Sequence, residues 1–270
     1  MSEEKEMSFL DHLEELRWHI IRSLLAISAF VVVGIFTNQF IFDKIIFALS
    51  KPDFITYRLL CKLSQATCID KLGFTLQSTS TTGQFTMYIS SLFVFGLICS
   101  FPYIVWEIWR FIKPGLYDAE QKGTRGAVFF VSILFMAGIT FGYFVLAPLS
   151  INFLANFQIS PEIKNEFNIV SYVSTVVMLV LGCGVIFQLP VAIYFLSKIG
   201  VVTPKLLRQY RRHAIVVILL IAGIITPPDI MSQIVISLPV LLLYEFGIFI
   251  SAWVWKNKPK DDDEVVVVES

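Results

Sequence analysis

The chain has 270 residues, 56% of them hydrophobic and only 16% charged, and its lysines and arginines balance its aspartates and glutamates to a net charge of zero. A soluble domain carries about 25% charged residues, whereas here the mean hydropathy is +0.74 and the apolar residues gather in long runs, which points to a polytopic membrane protein. Zero net charge without a basic face argues against nucleic acid as a partner.

Residues 1–22 are rich in acids (Glu3, Glu4, Glu6, Asp11, Glu14 and Glu15) and have no early apolar core, so no cleavable signal peptide is expected and the first membrane helix should act as its own insertion signal. Ser8 is a candidate helix cap with Asp11 three residues on. Leu10, Leu13, Leu16, Ile20 and Ile21 recur at three- and four-residue spacing, widened by Phe9 and Trp18, and predict an amphipathic cytoplasmic helix at the membrane surface. Its acidic turn, Asp11, Glu14 and Glu15, is unusual for a lipid-facing helix. Either Glu14 pairs locally with Arg17 and Glu15 with His19, or the acids accept a cationic partner.

Helix one is predicted from about Ser23 to Phe42, followed by an external loop over 43–84 that holds Pro52, two cysteines and a Ser/Thr-rich stretch. Phe40–Leu49 reads as helical and interfacial. Helix two, about Phe85–Ile112, is longer than a perpendicular span requires, and Pro102 predicts a kink. It runs into Phe101–Glu120, where Pro102 and Glu107 interrupt an apolar run, Trp106, Trp109 and Arg110 mark the headgroup zone, and Pro114-Gly115 turns the chain toward Asp118 and Glu120.

Helix three covers about Gly126–Ala147, with the small-residue face Gly138-x-x-x-Gly142. Helix four covers about Tyr172–Leu196, with Gln188 and Pro190. Helix five, about Ala214–Thr226, is short, and Pro227-Pro228-Asp229 turns it into helix six, about Gln233–Trp253, which contains Pro239 and Glu245. The expected fold is therefore all-α: a single membrane domain over 1–255, six transmembrane helices, the fifth short and the second, fourth and sixth kinked at proline, and a disordered tail over 256–270. With the N-terminus in the cytoplasm, 15 of the 21 lysines and arginines fall inside, including those in the loops 113–125 and 198–213. The positive-inside rule then predicts both termini in the cytoplasm.

Cys61 and Cys68 fall in the external loop, where an oxidising compartment favours a disulfide. Cys99 and Cys183 lie in membrane helices and read as inert packing residues. No His-Glu-x-x-His, phosphate loop or Gly-x-Ser-x-Gly is present, and His12, His19 and His213 lack metal-ligand spacing, so neither an enzyme, a metal site nor a cofactor is expected.

Polarity within the bilayer stands out instead. A charge at the centre of a membrane helix costs about 2.5–3.5 kcal/mol on insertion scales. Glu107 has a local explanation in Arg110 three residues on, and Asp229 in capping helix six. Gln188 and Glu245 need a hydrogen-bond partner in the bundle or on an incoming helix, and Glu245 is a candidate for protonation.

Several motifs then agree in order: His12-Leu13-Glu14-Glu15-Leu16-Arg17; Phe101-Pro102; Trp109-Arg110-Phe111-Ile112-Lys113-Pro114-Gly115-Leu116-Tyr117 with Glu120 after it; Phe187-Gln188-Leu189-Pro190; Thr226-Pro227-Pro228-Asp229; and Glu245-Phe246-Gly247. Over residues from about 8 to 255 the chain resembles the TatC family, the multispanning subunit of the twin-arginine protein translocase. The resemblance implies a receptor in the inner membrane for twin-arginine signal peptides of folded cargo, export driven by the proton motive force, and a multimeric complex with lipids and with single-span TatA- and TatB-type subunits. It assigns Glu15 and Glu120 to the two arginines, with Glu14 and Arg17 beside them and with Phe111, Pro114, Leu116 and Tyr117 shaping the loop. Carboxylates suit this role because they take guanidinium through paired, charge-assisted hydrogen bonds that lysine cannot reproduce. Gln188 departs from the family pattern, where bacterial members often carry Glu; Gln cannot exchange a proton, so it is no proton relay. A proton- or ion-coupled transporter is the alternative of another class, but the two halves show no repeat and it leaves the acidic cluster unexplained.

Overall fold

A computed structural model describes residues 9–63, 74–112, 124–160, 165–225 and 230–256. Ten α-helices and one pair of short strands are found among these residues. They are α1 (Phe9–Phe36), α2 (Ile55–Leu63), β1 (Thr75–Gln77), α3 (Gly83–Ile112), α4 (Thr124–Phe141), α5 (Ala147–Asn156), β2 (Glu166–Asn168), α6 (Ile169–Ile186), α7 (Leu189–Lys198), α8 (Pro204–Gln209), α9 (Arg211–Ile225) and α10 (Ile230–Lys256). Among the described residues five stretches are long and apolar enough to cross a membrane: 13–36, 83–112, 126–156, 169–198 and 233–256. The all-α, polytopic expectation therefore holds. At 15 residues and 1.5 Å per residue, α9 is only about 22 Å long, short of a ~30 Å hydrocarbon core.

The chain divides into two compact units, 1–184 and 185–270. In the first, α1 packs along α3. His19, Ile27 and Gly34 are buried on α1 at eight- and seven-residue spacing, the stripe a helix turns toward one neighbour. Gly96 on α3 permits that approach: a Cβ there would lie 3.0 Å from the Ile27 carbonyl oxygen and 2.7 Å from Val31 Cγ2. α1 is one continuous helix from Phe9, not a surface helix followed by a separate span, and it ends at Phe36, earlier than the sequence suggested. Leu13 and Ile20, expected on the apolar face of a surface helix, are exposed, while His19 is buried.

Beyond α1 the chain winds into a π-helical turn, Phe40–Ile46, and a 3-10 turn, Phe47–Ser50. Such turns leave carbonyls without helical partners, and tyrosine hydroxyls satisfy three of them. Tyr143 donates to the Ile45 oxygen at 2.8 Å, Tyr172 to that of Ile46 at 2.9 Å, and Tyr57 to that of Leu49 at 3.2 Å. Tyr57 also reaches the Pro148 oxygen at 3.2 Å. Leu49, Tyr57, Leu146, Ile151 and Leu179 are the fully buried centre of this unit. The strands pair in parallel, Leu76 opposite Phe167, and Phe74 stacks on Phe167 at 4.4 Å. Cys61 on α2 is disulfide-bonded, whereas Cys99 and Cys183 are free; Cys68 lies outside the described residues.

In the second unit α7 packs on α10. Ser197 and Ser251 hydrogen-bond at 2.8 Å, and Gly247 of α10 meets Ile193 of α7. α7 ends at Lys198 and the chain turns at Gly200, whose φ of 85° lies in the left-handed region open to glycine. Thr203 then caps α8, accepting from the Leu206 amide at 3.1 Å. Tyr244 donates to the Leu207 oxygen at 2.8 Å and Trp255 to the Val202 oxygen at 3.0 Å, tying α10 to α8 and the turn before it.

The three prolines expected to kink spans behave differently. Pro102 and Pro239 lie within continuous helices. Near Pro190 the helix breaks instead: α6 stops at Ile186 and α7 starts at Leu189, with Pro190 in its first turn. Ile186 is the residue four before Pro190, whose carbonyl the proline ring would strike.

Candidate functional site

The site forms where the first turns of α1 meet the last turns of α3. Glu107 has a side chain only 1% exposed, and such an acid in an apolar span must be paired. His19 Nδ1–H donates to Glu107 Oε2 at 2.5 Å, and the Tyr103 hydroxyl, one turn earlier on α3, donates to Oε1 at 2.9 Å. Both carboxylate oxygens are therefore satisfied. Arg22 and Arg110 approach them at 3.9 and 3.8 Å from half-exposed positions, adding positive charge around one buried acid.

The second imidazole nitrogen of His19 faces outward, with Nε2 4.0 Å from Glu15 Oε1. Glu107 thus holds the ring by one nitrogen and leaves the other toward Glu15. Phe111 packs edge-on against His19 with ring centroids 5.8 Å apart, and Arg110 lies over Trp106 at 5.5 Å. Glu15 is half-exposed, and among the described residues its one ionic neighbour is His19. The expected Glu14–Arg17 ion pair does not form, and both side chains are exposed. The surface that results offers Glu14 and a half-exposed Glu15 beside exposed Trp18 and half-buried Phe111.

Of the residues singled out from sequence, the structure therefore brings Glu15, Phe111 and Glu107 to one place, and His19 joins them. Glu107 has its expected neighbour Arg110 at 3.8 Å, and gains a closer partner in His19 from another helix, 2.5 Å away. His19 and Tyr103 were not picked out as site residues. A buried acid in a span called for a donor, and His19 stands in phase with Ile27 on α1, but nothing in the spacing said which helix faces α3. Pro114, Leu116, Tyr117, Glu120 and Asp229 lie outside the described residues.

Glu245 is met by Arg211, with Nη2 2.6 Å from Oε2 and both side chains about half-exposed, so the partner it needs comes from α9. Gln188 sits at the break before α7, its backbone amide donating to the Val185 oxygen and its backbone oxygen accepting from the Ala192 amide, each at 3.0 Å. Among the described residues no group of three His, Cys, Asp or Glu is arranged to hold a metal ion.

Comparison with known proteins gives one consistent result. The sequence model of the family described as "Sec-independent protein translocase protein (TatC)" matches residues 11–239. The TatC of Blattabacterium sp. subsp. Periplaneta americana is 41% identical over 264 residues, covering 95% of this chain and 99% of that protein. The TatC of Halalkalibacterium halodurans is 34% identical, covering 95% of this chain and 94% of that protein. Two crystal structures of the twin-arginine translocase receptor TatC, one of them in DDM, superpose with TM-scores of 0.69 and 0.70 at 29% and 30% identity. They cover 90% and 89% of this chain and 99% of each solved chain.

Proposed function

The chain belongs to the TatC family of Sec-independent protein translocase proteins, and on that premise we propose that it is the signal-peptide receptor and core subunit of a twin-arginine translocase. Its role is to bind, not to catalyse. The pair of arginines in a signal peptide docks at the end of α1 and α3, with Glu15 taking one guanidinium and Glu120, on the loop that follows α3, taking the other. Glu14, Arg17 and Phe111 flank them, and Pro114, Leu116 and Tyr117 shape the loop.

The observation that carries this reading is the convergence of Glu15 and Phe111 on His19. It puts a half-exposed carboxylate beside the helix end from which the Glu120 loop departs. A planar guanidinium satisfies two carboxylate acceptors at once, whereas an ammonium acts as a point charge. The same reading places the protein in the inner membrane with both termini in the cytoplasm, as the lysine and arginine distribution supports. Single-span TatA- and TatB-type subunits dock on the polar positions Gln188, Asp229 and Glu245, and export of folded cargo draws on the proton motive force. Cys61 pairs with Cys68 in the external loop.

The test is binding of a twin-arginine signal peptide to the detergent-solubilised full chain, against the Lys-Lys peptide and against Glu15→Ala and Glu120→Ala. Each substitution, and the Lys-Lys peptide, is expected to weaken binding by about tenfold or more, since a hydrogen bond to a charged group contributes about 1.5–3 kcal/mol. Equal binding in all combinations would show that these acids do not read the arginines.

A further inference from the structure

The first unit contains an apolar cavity of about 300 Å³ whose lining includes Val94, Phe95, Ile98, Thr140, Tyr143 and Val177. One polar group in it is unaccounted for. Ser91 lines the cavity, is 3% exposed, and its hydroxyl has no hydrogen-bond partner. Hydroxyls in these helices normally bond back to the carbonyl four residues earlier. Ser23, Ser28, Thr37, Ser132 and the cavity's own Thr140 all do so, at 2.7–2.9 Å. Ser91 does not, and a buried unpaired hydroxyl costs about 1–3 kcal/mol.

The depth of Ser91 indicates what meets it. Trp106 and Trp109 mark the headgroup level at one end of α3. About 20 residues cross a ~30 Å core, so the opposite hydrocarbon boundary falls near Thr86 to Ile89. Ser91 lies roughly 3–8 Å inside it at 1.5 Å per residue, close under the level where the ester carbonyls of a glycerolipid sit. A water would need two to four polar partners, and the remaining lining is almost wholly apolar. A docked helix is about 10–12 Å across, too wide for this cavity, whereas a single hydrocarbon chain is narrow and apolar along its whole length.

We propose that this cavity is a lipid site: it takes one acyl chain of a glycerophospholipid from the leaflet into which α1 ends, and the ester carbonyl of that chain accepts a hydrogen bond from Ser91. The chain fills the space between α3, α4, the π-helical stretch Gly142–Leu146 and α6, and so acts as a packing element of the first unit.

The experiment reconstitutes the full chain in phosphatidylcholine vesicles doped with a phosphatidylcholine bearing a photoactivatable diazirine on one acyl chain, and maps the labelled peptides by mass spectrometry. Labelling is expected to concentrate on α3 around Val94–Ile98 and on α6 around Val177. Val94→Trp, which fills the cavity, should abolish that signal while leaving labelling at the exposed Phe129 of α4 unchanged. Ser91→Ala should lower cavity labelling about fivefold, the loss of one hydrogen bond. A diether analogue without the ester carbonyl should label at that reduced level, insensitive to Ser91→Ala. Labelling spread evenly over the lipid-facing surface, or unaltered by both substitutions, overturns the proposal. So does cross-linking of two copies through the cavity-lining Cys99 in place of lipid labelling, which would make the cavity a contact between copies.

Discussion

His19 and Glu107 are 88 residues apart in the chain, and their side chains meet at 2.5 Å in a buried contact between α1 and α3. The pair anchors the turn of α1 that carries Glu15, one helical turn before His19. Removing one member of a buried pair leaves the other uncompensated, at a cost of about 3–5 kcal/mol. Glu107→Ala is accordingly expected to lower thermal stability in detergent sharply, and Glu107→Gln, which still accepts from His19, to lower it less. The double substitution His19→Leu with Glu107→Leu should recover part of the loss, because neither member of the pair is then buried without the other, although Tyr103 loses its acceptor. If Glu107→Ala unfolds with the unaltered protein, the pair does not hold the two helices.

The approach of α1 and α3 depends on Gly96. A side chain there meets the Ile27 carbonyl at 3.0 Å and the Val31 amide nitrogen at 3.2 Å, and backbone cannot rotate away as a side chain does. Overpacking of this kind costs about 1–3 kcal/mol. Gly96→Val should therefore lower the unfolding temperature and also weaken peptide binding, since Glu15 rides on the displaced helix. Gly126→Ala, where a Cβ has nothing within 4 Å, is the control and should leave both unchanged.

Burial raises the Tyr57 phenol well above its ordinary value, which is about 10. A tyrosine that keeps its proton when folded and loses it when unfolded favours the unfolded chain at high pH. Its stabilising contribution is complete below about pH 10 and is lost as the pH rises beyond that. Denaturation followed from pH 8 to pH 12 should show this loss, and Tyr57→Phe should flatten the upper part of the curve. It should also reduce stability at pH 8, because the Leu49 and Pro148 oxygens lose a donor.

Arg211 and Glu245 join the start of α9 to the middle of α10 at 2.6 Å. In water a half-exposed pair contributes about 0–1 kcal/mol, but an unpaired charge within a membrane span costs about 2.5–3.5 kcal/mol. Arg211→Ala is expected to be the more damaging where Glu245 stays charged, and Glu245→Gln the milder. The exchange Arg211→Glu with Glu245→Arg should restore stability toward that of the unaltered protein. Thermal unfolding of the three variants reads this directly, and failure of the exchange to rescue would show that the charges act separately.

What the sequence determined was what depends on neighbours along the chain. Apolar run lengths placed the membrane helices, and the short run before Thr226 foretold a short α9. The order of motifs identified the family, and charge type alone argued for Glu15 as an acceptor of guanidinium. Packing between helices decided the rest, because a helical period states which residues share a face and not which helix that face meets. So the spacing along α3 points Glu107 to Arg110, which it meets, while His19 comes to it only through the packing of α1 on α3. The stripe through Leu13 and Ile20 reads as a membrane-facing surface and stays exposed, while burial falls on His19, Ile27 and Gly34, the residues that meet α3. The carbonyls of Ile45, Ile46 and Leu49 found partners in Tyr143, Tyr172 and Tyr57 only once distant helices had come together. Likewise three prolines carried one local signal, but only Pro190 lies beside a helix break, since a missing hydrogen bond and a ring clash are tolerated or not according to what surrounds them.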